Sequence, residues 1–244
     1  MKAAGKERLD LLLVVRGLAS SGEKARALVL AGQVLVDGRP AGKPGHAVPI
    51  ESHIELVAGL PHVSRAGRKL EAALEAFGID VSNRICLDVG ASTGGFTDCL
   101  LQRGAQRVYA VDVGSGQLDW KLRNDPRVVV REGLNARYLR PADIGELVDL
   151  AVCDVSFISA TLILPPLAAL LREQGEMVIL VKPQFEVGRG QVGKGGIVRD
   201  PALHQAACDR VAEAVRQLGF RTGMMESPVV GAKGNKEFLL YARH

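Results

Sequence analysis

The chain has 244 residues, 47% of them hydrophobic and 24% charged, with a formal net charge of +4. That length accommodates one large α/β domain and one small one, and the apolar fraction supports a packed core, so an extended disordered protein is excluded. No run reaches the roughly 18 apolar residues of a membrane span, and the N-terminus lacks a signal-peptide core, Leu11 to Val15 being too short.

The longest greasy stretch, Ala160 to Leu171, is interrupted by Pro165-Pro166. Cys86, Cys99, Cys153 and Cys208 are dispersed, with no C-x-x-C pair and no nearby histidine cluster. These features predict a soluble cytoplasmic protein in a reducing compartment, without a metal site. Charge is uneven. Residues 1–69 carry 11 Lys and Arg against 6 Asp and Glu, and the remainder carries 20 against 21. A basic N-terminal end implies a polyanionic partner.

In chain order, Arg8 to Val15 reads as a short helix with Leu9, Leu12 and Leu13 apolar and Gly17 as its stop. Ser20-Ser21-Gly22 caps a second helix, Glu23 to Leu30, ending at Gly32. Val34-Leu35-Val36 is a strand, Asp37-Gly38 a tight turn, and Val48-Pro49-Ile50 and Ile54-Glu55-Leu56 further short strands. A unit of this size suits binding better than chemistry. Pro61 to Arg68 reads as a linker between a domain of residues 1–60 and one of residues 69–244, and Lys69-Leu70 opens a helix that runs to Phe77.

Strand and helix signals then alternate. Strands are expected at Ile85–Val89, Arg107–Val111, Val128–Val130, Leu147–Cys153, Met177–Val181, near Arg221–Met225 and at Glu237–Tyr241. Helices are expected near Gly95–Arg103, Thr161–Arg172 and Ala202–Leu218. This is the pattern of an α/β doubly wound, Rossmann-like sheet, which binds ligands beyond the carboxyl ends of its strands.

The turn after the first of these strands is the most informative segment. Asp88-Val89-Gly90-Ala91-Ser92-Thr93-Gly94-Gly95-Phe96 places an acid and a glycine-rich turn between a strand and a helix. Its spacing is not the dinucleotide fingerprint, and the acid would repel a pyrophosphate. A ligand with a cationic amino-acid end fits better, which points to S-adenosylmethionine. Gly90, Gly94 and Gly95 let the backbone approach the methionine part of such a ligand, with Ser92 and Phe96 in the same turn. Asp88 either orders the turn or faces the amino group. Asp112 ends the next strand, where a carboxylate accepts ribose hydroxyls. Asn135 either meets the adenine edge or forms a turn, and Val113 or Leu134 packs on the adenine.

Gly188 to Lys194 fits the phosphate-loop spacing G-x-x-x-x-G-K, but Gly195 stands where Ser or Thr must bind magnesium, which argues against a nucleotide triphosphatase. Arg189, Lys194 and Arg199 among five glycines suit a mobile basic loop that closes over RNA instead.

Four charged residues fall at element ends: Lys69, Asp154, Lys182 and Glu237. Cys153 points the opposite way from Asp154, against a cysteine nucleophile. An alcohol needs a base as it is methylated, and a lysine serves once burial or a second ammonium favours its neutral form. Lys182 is the expected base, Lys69 its electrostatic partner, and Asp154 and Glu237 the groups that orient the two amines.

The N-terminal segment resembles the S4 RNA-binding domain in Arg8-Leu9-Asp10, Leu13, Gly17-Leu18, Ser21, Gly32, Val34, Val36 and Asp37-Gly38. That resemblance implies RNA-backbone contacts by Arg8, Arg16, Lys24, Arg26 and Lys43. Ser21-Gly22 departs from its usual Ser-Arg. The whole chain resembles the TlyA (hemolysin A) family, an S4 domain joined to an FtsJ-like ribose methyltransferase. The segments that carry this include 63–70, 87–98, 154–159, 181–186 and 193–200, with Ala66 where Gly is usual. The family's K-D-K-E tetrad falls on Lys69, Asp154, Lys182 and Glu237.

The resemblance implies 2'-O-methylation of a cytidine in rRNA, on the 23S rRNA of the 50S subunit and as a second possibility on the 16S rRNA of the 30S subunit. Arg65, Arg68, Arg189 and Lys194 extend the expected RNA surface, and no stable protein partner is expected. The competing expectations are an inactive RNA-binding assembly factor, which would not keep Asp88, Asp112 and the tetrad, and a hemolysin, for which no membrane-seeking helix is present.

Overall fold

In the computed structural model, residues 5–30, 33–41, 43–56 and 62–244 are described, without the side chains of Arg189 and Ala232. Gly32 and Pro61, which figured in the expectations above, lie outside the described residues. The chain divides into two compact units, residues 1–61 and 62–244.

The first unit runs β1 (Lys6–Arg8), α1 (Leu9–Val15), α2 (Gly22–Leu30), β2 (Val34–Val36), β3 (Arg39–Pro40), β4 (Ala47–Pro49) and β5 (Ile54–Leu56). Ser21 Oγ accepts from the Lys24 amide at 3.2 Å, so the expected cap on α2 is made. Asp37 and Gly38 both have positive φ, 51° and 75°, the mirror-image turn that closes a two-residue hairpin between β2 and β3. Leu9, Leu12, Leu13, Ala25, Val29, Val34, Val48 and Ile54 form its small core. Strands β1 and β3 were not foreseen: Lys6-Glu7-Arg8 and Arg39-Pro40 carry no apolar alternation, and they pair only with β4 and β2.

The second unit begins with α3 (Ala66–Phe77), β6 (Ile85–Val89), α4 (Gly95–Gln102), β7 (Arg107–Asp112), α5 (Trp120–Arg123) and β8 (Val128–Glu132). It continues with α6 (Pro141–Ile144), β9 (Val148–Cys153), α7 (Leu164–Ala168), β10 (Leu171–Val181), α8 (Pro183–Glu186), α9 (Pro201–Gln217), β11 (Arg221–Glu226) and β12 (Phe238–Arg243). The sheet order is β11-β12-β10-β9-β6-β7-β8, parallel from β10 to β8 and antiparallel at β12 and β11.

Alternate residues of these strands enter two different cores. Leu87, Val89, Tyr109, Val111, Ala151 and Cys153 pack on one face with α7 and α9. Cys86, Val108, Ala110, Leu150 and Val152 pack on the other with α3 and α4. Burial on both faces is why these strands read as continuous apolar runs. The chain order reverses between β6 and β9, so the crevice beyond their carboxyl ends is where a ligand is received.

Three expectations differ from the structure. The helix expected at Thr161–Arg172 is only α7, because Pro165 and Pro166 fit a helix start and Leu171 already opens β10. The helix expected from Lys69 starts at Ala66. Residues 62–68, read as linker, pack within the second unit. His62 is buried, and a Cβ on Gly67 would lie 2.3 Å from its ring, so only glycine lets α3 begin there.

Candidate active site

The turn that leaves β6 is built around backbone that side chains cannot share. Gly90 has φ 83°, and a Cβ there would sit 2.4 Å from the Asp154 carbonyl oxygen. The amides of Gly90 and Ala91 donate to Val111 O at 2.9 and 3.1 Å, and the Asp154 amide donates to Val89 O at 2.9 Å. These bonds tie the ends of β6, β7 and β9 into one rim. Gly94 caps α4 with φ 94°, against Leu118 and Leu122, and a Cβ on Gly95 would collide with Ser64 Oγ.

Asp88 is wholly buried beneath this turn. Thr97 Oγ1 donates to its Oδ2 at 2.6 Å, while Oδ1 is buried without a hydrogen bond. Burial pushes its carboxyl up to about 7, opposed by the Thr97 bond and reinforced by Asp154. Asp88 lines neither cleft described below.

A cleft of about 480 Å³ opens at the switch point, lined by Gly90, Ser92, Asp112, Val113, Leu134 and Asn135, with Gln117 and residues 154–158 completing it. Asp112 accepts from the Ser92 amide at 2.8 Å and from the Gly114 amide at 2.7 Å, which fixes both carboxylate oxygens at the mouth. Asn135 Oδ1 accepts from the Arg137 amide at 3.0 Å, so its oxygen serves a turn. A second groove, about 170 Å³, is lined by Ser64, Ala66, Gly90, Ser92, Gly95, Phe96, Asp154, Ser156 and Lys182. Gly94 lines neither; its part is conformational.

The four charged residues form two ion pairs. Lys69 Nζ donates to Glu237 Oε2 at 2.5 Å, and Lys182 Nζ lies 2.5 Å from Asp154 Oδ1. The register that pairs Val181 with Phe238 brings the next residues, Lys182 and Glu237, side by side at the strand ends. Glu237 packs where a Cβ on Gly231 would clash with it. All but Asp154 are buried, and of the two pairs it is Lys182–Asp154 that lines the spaces described above. Lys182 Nζ also donates to Ser156 Oγ at 2.8 Å.

Sequence reading gave no role to Ser156, Phe157, Gln117 or Asn235. Phe157 is 92% exposed with φ 66°, and its ring packs on Phe185 with centroids 5.3 Å apart. An aromatic residue in the left-handed region is a costly conformation that functional sites retain. Asn235 is 3% exposed; it accepts from the Val198 amide and donates to Gly196 O, and Lys233 donates to Gly195 O. The glycine-rich loop expected to be mobile is thus fastened along residues 195–198, with Lys194 exposed beside the tie. Its backbone does not bridge a strand to a helix as a phosphate loop does.

Cys153 is buried and its thiol is pushed up to about 12 by burial, consistent with an inert side chain. Among the described residues there is no cluster of His, Cys, Asp and Glu that could hold a metal, and no helix long and apolar enough to cross a membrane.

In the first unit Arg8 and Arg26 both bond Asp10, whose carboxyl is held down at about 2, chiefly by the Arg8 hydrogen bond. Arg16 donates to the carbonyls of Ser52 and Ile50. Lys24 and Lys43 are exposed, as are Arg65 and Arg68 in the second unit.

An open sheet that reverses at a glycine turn, with a carboxylate ending the next strand, is the fold of the nucleoside-cofactor methyltransferases. The FtsJ-like methyltransferase family matches residues 62–244, and the S4 domain matches residues 7–54. The chain belongs to the TlyA family, which joins these two domains. It is 51% identical over 243 residues to the 16S/23S rRNA (cytidine-2'-O)-methyltransferase TlyA of Mycobacterium tuberculosis, covering 98% of this chain and 91% of the relative. It is 49% identical over 239 residues to YqxC of Bacillus subtilis, provisionally named an rRNA methyltransferase, covering 97% and 85%. A solved structure from Streptococcus thermophilus that carries a provisional hemolysin name is similar with a TM-score of 0.76 and 46% identity, covering 99% and 89%.

Proposed function

We propose that the protein transfers a methyl group from S-adenosylmethionine to the ribose 2'-hydroxyl of a cytidine in rRNA, on the 23S rRNA of the large subunit and as a further substrate on 16S rRNA. The observation that carries this reading is a buried lysine, Lys182, held by Asp154 and Ser156 in a groove that shares Gly90, Ser92, Asp154 and Ser156 with the larger cleft. The residues present fit the cofactor. Asp112 offers fixed carboxylate oxygens to a ribose diol, Val113, Leu134 and Ile158 give an apolar slot for a purine, and Gly90 and Ser92 leave room for an amino-acid end. When bound, that cofactor supplies an electrophilic methyl group.

The chain's own residues supply the rest. Lys182 takes the hydroxyl proton, while Asp154 fixes its head and the Lys69–Glu237 pair braces the neighbouring strand end. Phe157 presents a ring face on which an unstacked base can lie. Lys24, Lys43, Arg65, Arg68, Arg189 and Lys194, with the exposed parts of Arg8, Arg16 and Arg26, meet RNA phosphates.

The test is transfer of labelled methyl to free RNA, isolated 50S and isolated 30S particles, followed by mapping of the modified nucleotide. Lys182→Ala should abolish transfer while the cofactor still binds. Retained turnover in that variant removes Lys182 from the role of base. An inactive assembly factor would bind the particles in all three arms and transfer nothing.

A further inference from the structure

Lys182 is 9% exposed, whereas its hydrogen-bond partner Ser156 is exposed. Ser156 lines both the larger cleft and the smaller groove, and Lys182 lines the groove alone. A hydroxyl approaching from the cleft therefore meets Ser156 before it meets the amine. Asp154 also borders both spaces, but an ionised carboxylate only accepts. A serine hydroxyl takes a proton on one lone pair and passes its own along the other direction.

The position of this hydroxyl is over-determined. Residues 156–160 are fastened to residues 182–186 at three points. Lys182 donates to Ser156, the Phe185 ring packs on Phe157, and the buried Glu186 carboxylate accepts from Ser159 Oγ at 2.5 Å and from the Ala160 amide at 2.7 Å. Phe157 is held at φ 66° within that clamp, and a side chain kept in an unfavourable backbone region signals a conformation maintained for use.

We propose that Ser156 is a catalytic proton relay between the acceptor hydroxyl and Lys182, an inference that rests on the methyl-transfer reading above. As the acceptor oxygen bonds to the methyl carbon, the electron pair of the carbon–sulfur bond returns to sulfur. The acceptor proton passes to Ser156 Oγ while the serine hydroxyl, turned to donate along the 2.8 Å contact in which Lys182 donates at rest, gives its own proton to the Lys182 amine. Serine is regenerated, and the positive charge moves from sulfonium to ammonium. The groups around this path are Cys153 at the end of β9 and Asp154 after it, Asp88 from β6, Lys69 from α3, Glu237 before β12 and Glu186 from α8.

The experiment compares wild type, Ser156→Ala, Ser156→Thr and Lys182→Ala in the full chain. Single-turnover transfer is measured at saturating cofactor and RNA. Cofactor affinity is measured separately, and the Lys182 side-chain NMR signal is followed in the cofactor-free protein. At saturating cofactor Ser156→Ala should lower the transfer rate about 100-fold, and Ser156→Thr should return it to within about threefold of wild type. In the cofactor-free protein, the Lys182 signal should move in Ser156→Ala and return in Ser156→Thr.

The relay is overturned if Ser156→Ala transfers within about threefold of wild type, if threonine fails to restore the rate, or if the Lys182 signal does not move. If Lys182→Ala is inactive and Ser156→Ala is normal, the relay alone fails. If Lys182→Ala remains active, the base assignment fails with it.

Discussion

Asp88 carries a measurable signature at the scale of one residue. Its carboxyl is wholly buried and pushed up from the ordinary 3.8 to about 7, chiefly by burial. The folded chain therefore holds this proton more tightly than the unfolded chain does. Between about pH 4 and pH 7 the fold loses stability as pH rises, by up to about 1.4 kcal/mol per unit, and the loss levels off above that window. Asn at this position does not titrate and still accepts from Thr97. The stability of Asp88→Asn relative to wild type should thus rise from pH 5 to pH 8 in urea denaturation. A difference independent of pH would mean that Asp88 is solvated or paired in solution. Its burial was not legible in the sequence, because an acid before a glycine turn looks alike whether it faces a ligand or the turn.

At the scale of elements, the junction of β6 with α4 depends on close backbone passage at Gly90. Gly90→Ala must place a methyl 2.4 Å from Asp154 O in a backbone region with φ 83°. It should cost at least about 1–3 kcal/mol of stability and weaken cofactor binding together with transfer, since the displaced carbonyl belongs to Asp154, the ion-pair partner of Lys182. Denaturation midpoints and cofactor titration check this.

The central strands of the second unit were readable because they carry apolar runs, and the strand-end acids and lysines were readable because runs end visibly. The helix over 161–172 was misjudged because leucines on either side of Pro165-Pro166 hide the turn into β10. The Ser156–Lys182 contact left no sequence signal. It depends on φ at Phe157 and on three ties between segments 26 or so residues apart.

For the whole molecule, the uneven charge of the sequence meets two kinds of basic residue in the first unit. Arg8, Arg16 and Arg26 have internal partners, so replacing them disturbs the fold as well as any RNA contact. Lys24 and Lys43 are exposed, and their replacement isolates the electrostatic contribution. The double variant Lys24→Gln, Lys43→Gln should keep the wild-type melting temperature. The slope of log affinity against log salt for RNA should become shallower by about 0.7–0.9 for each phosphate contact removed. An unchanged slope would place the RNA elsewhere.

The Lys69–Glu237 pair joins residues 168 positions apart, and β12, last in the chain, lies between β10 and β11 inside the sheet. Until that strand is inserted, β10 and β11 each expose an unpaired edge, the kind of template on which chains aggregate. A chain without residues 237–243 therefore lacks both the acid that seats Lys69 and the strand that seals the sheet.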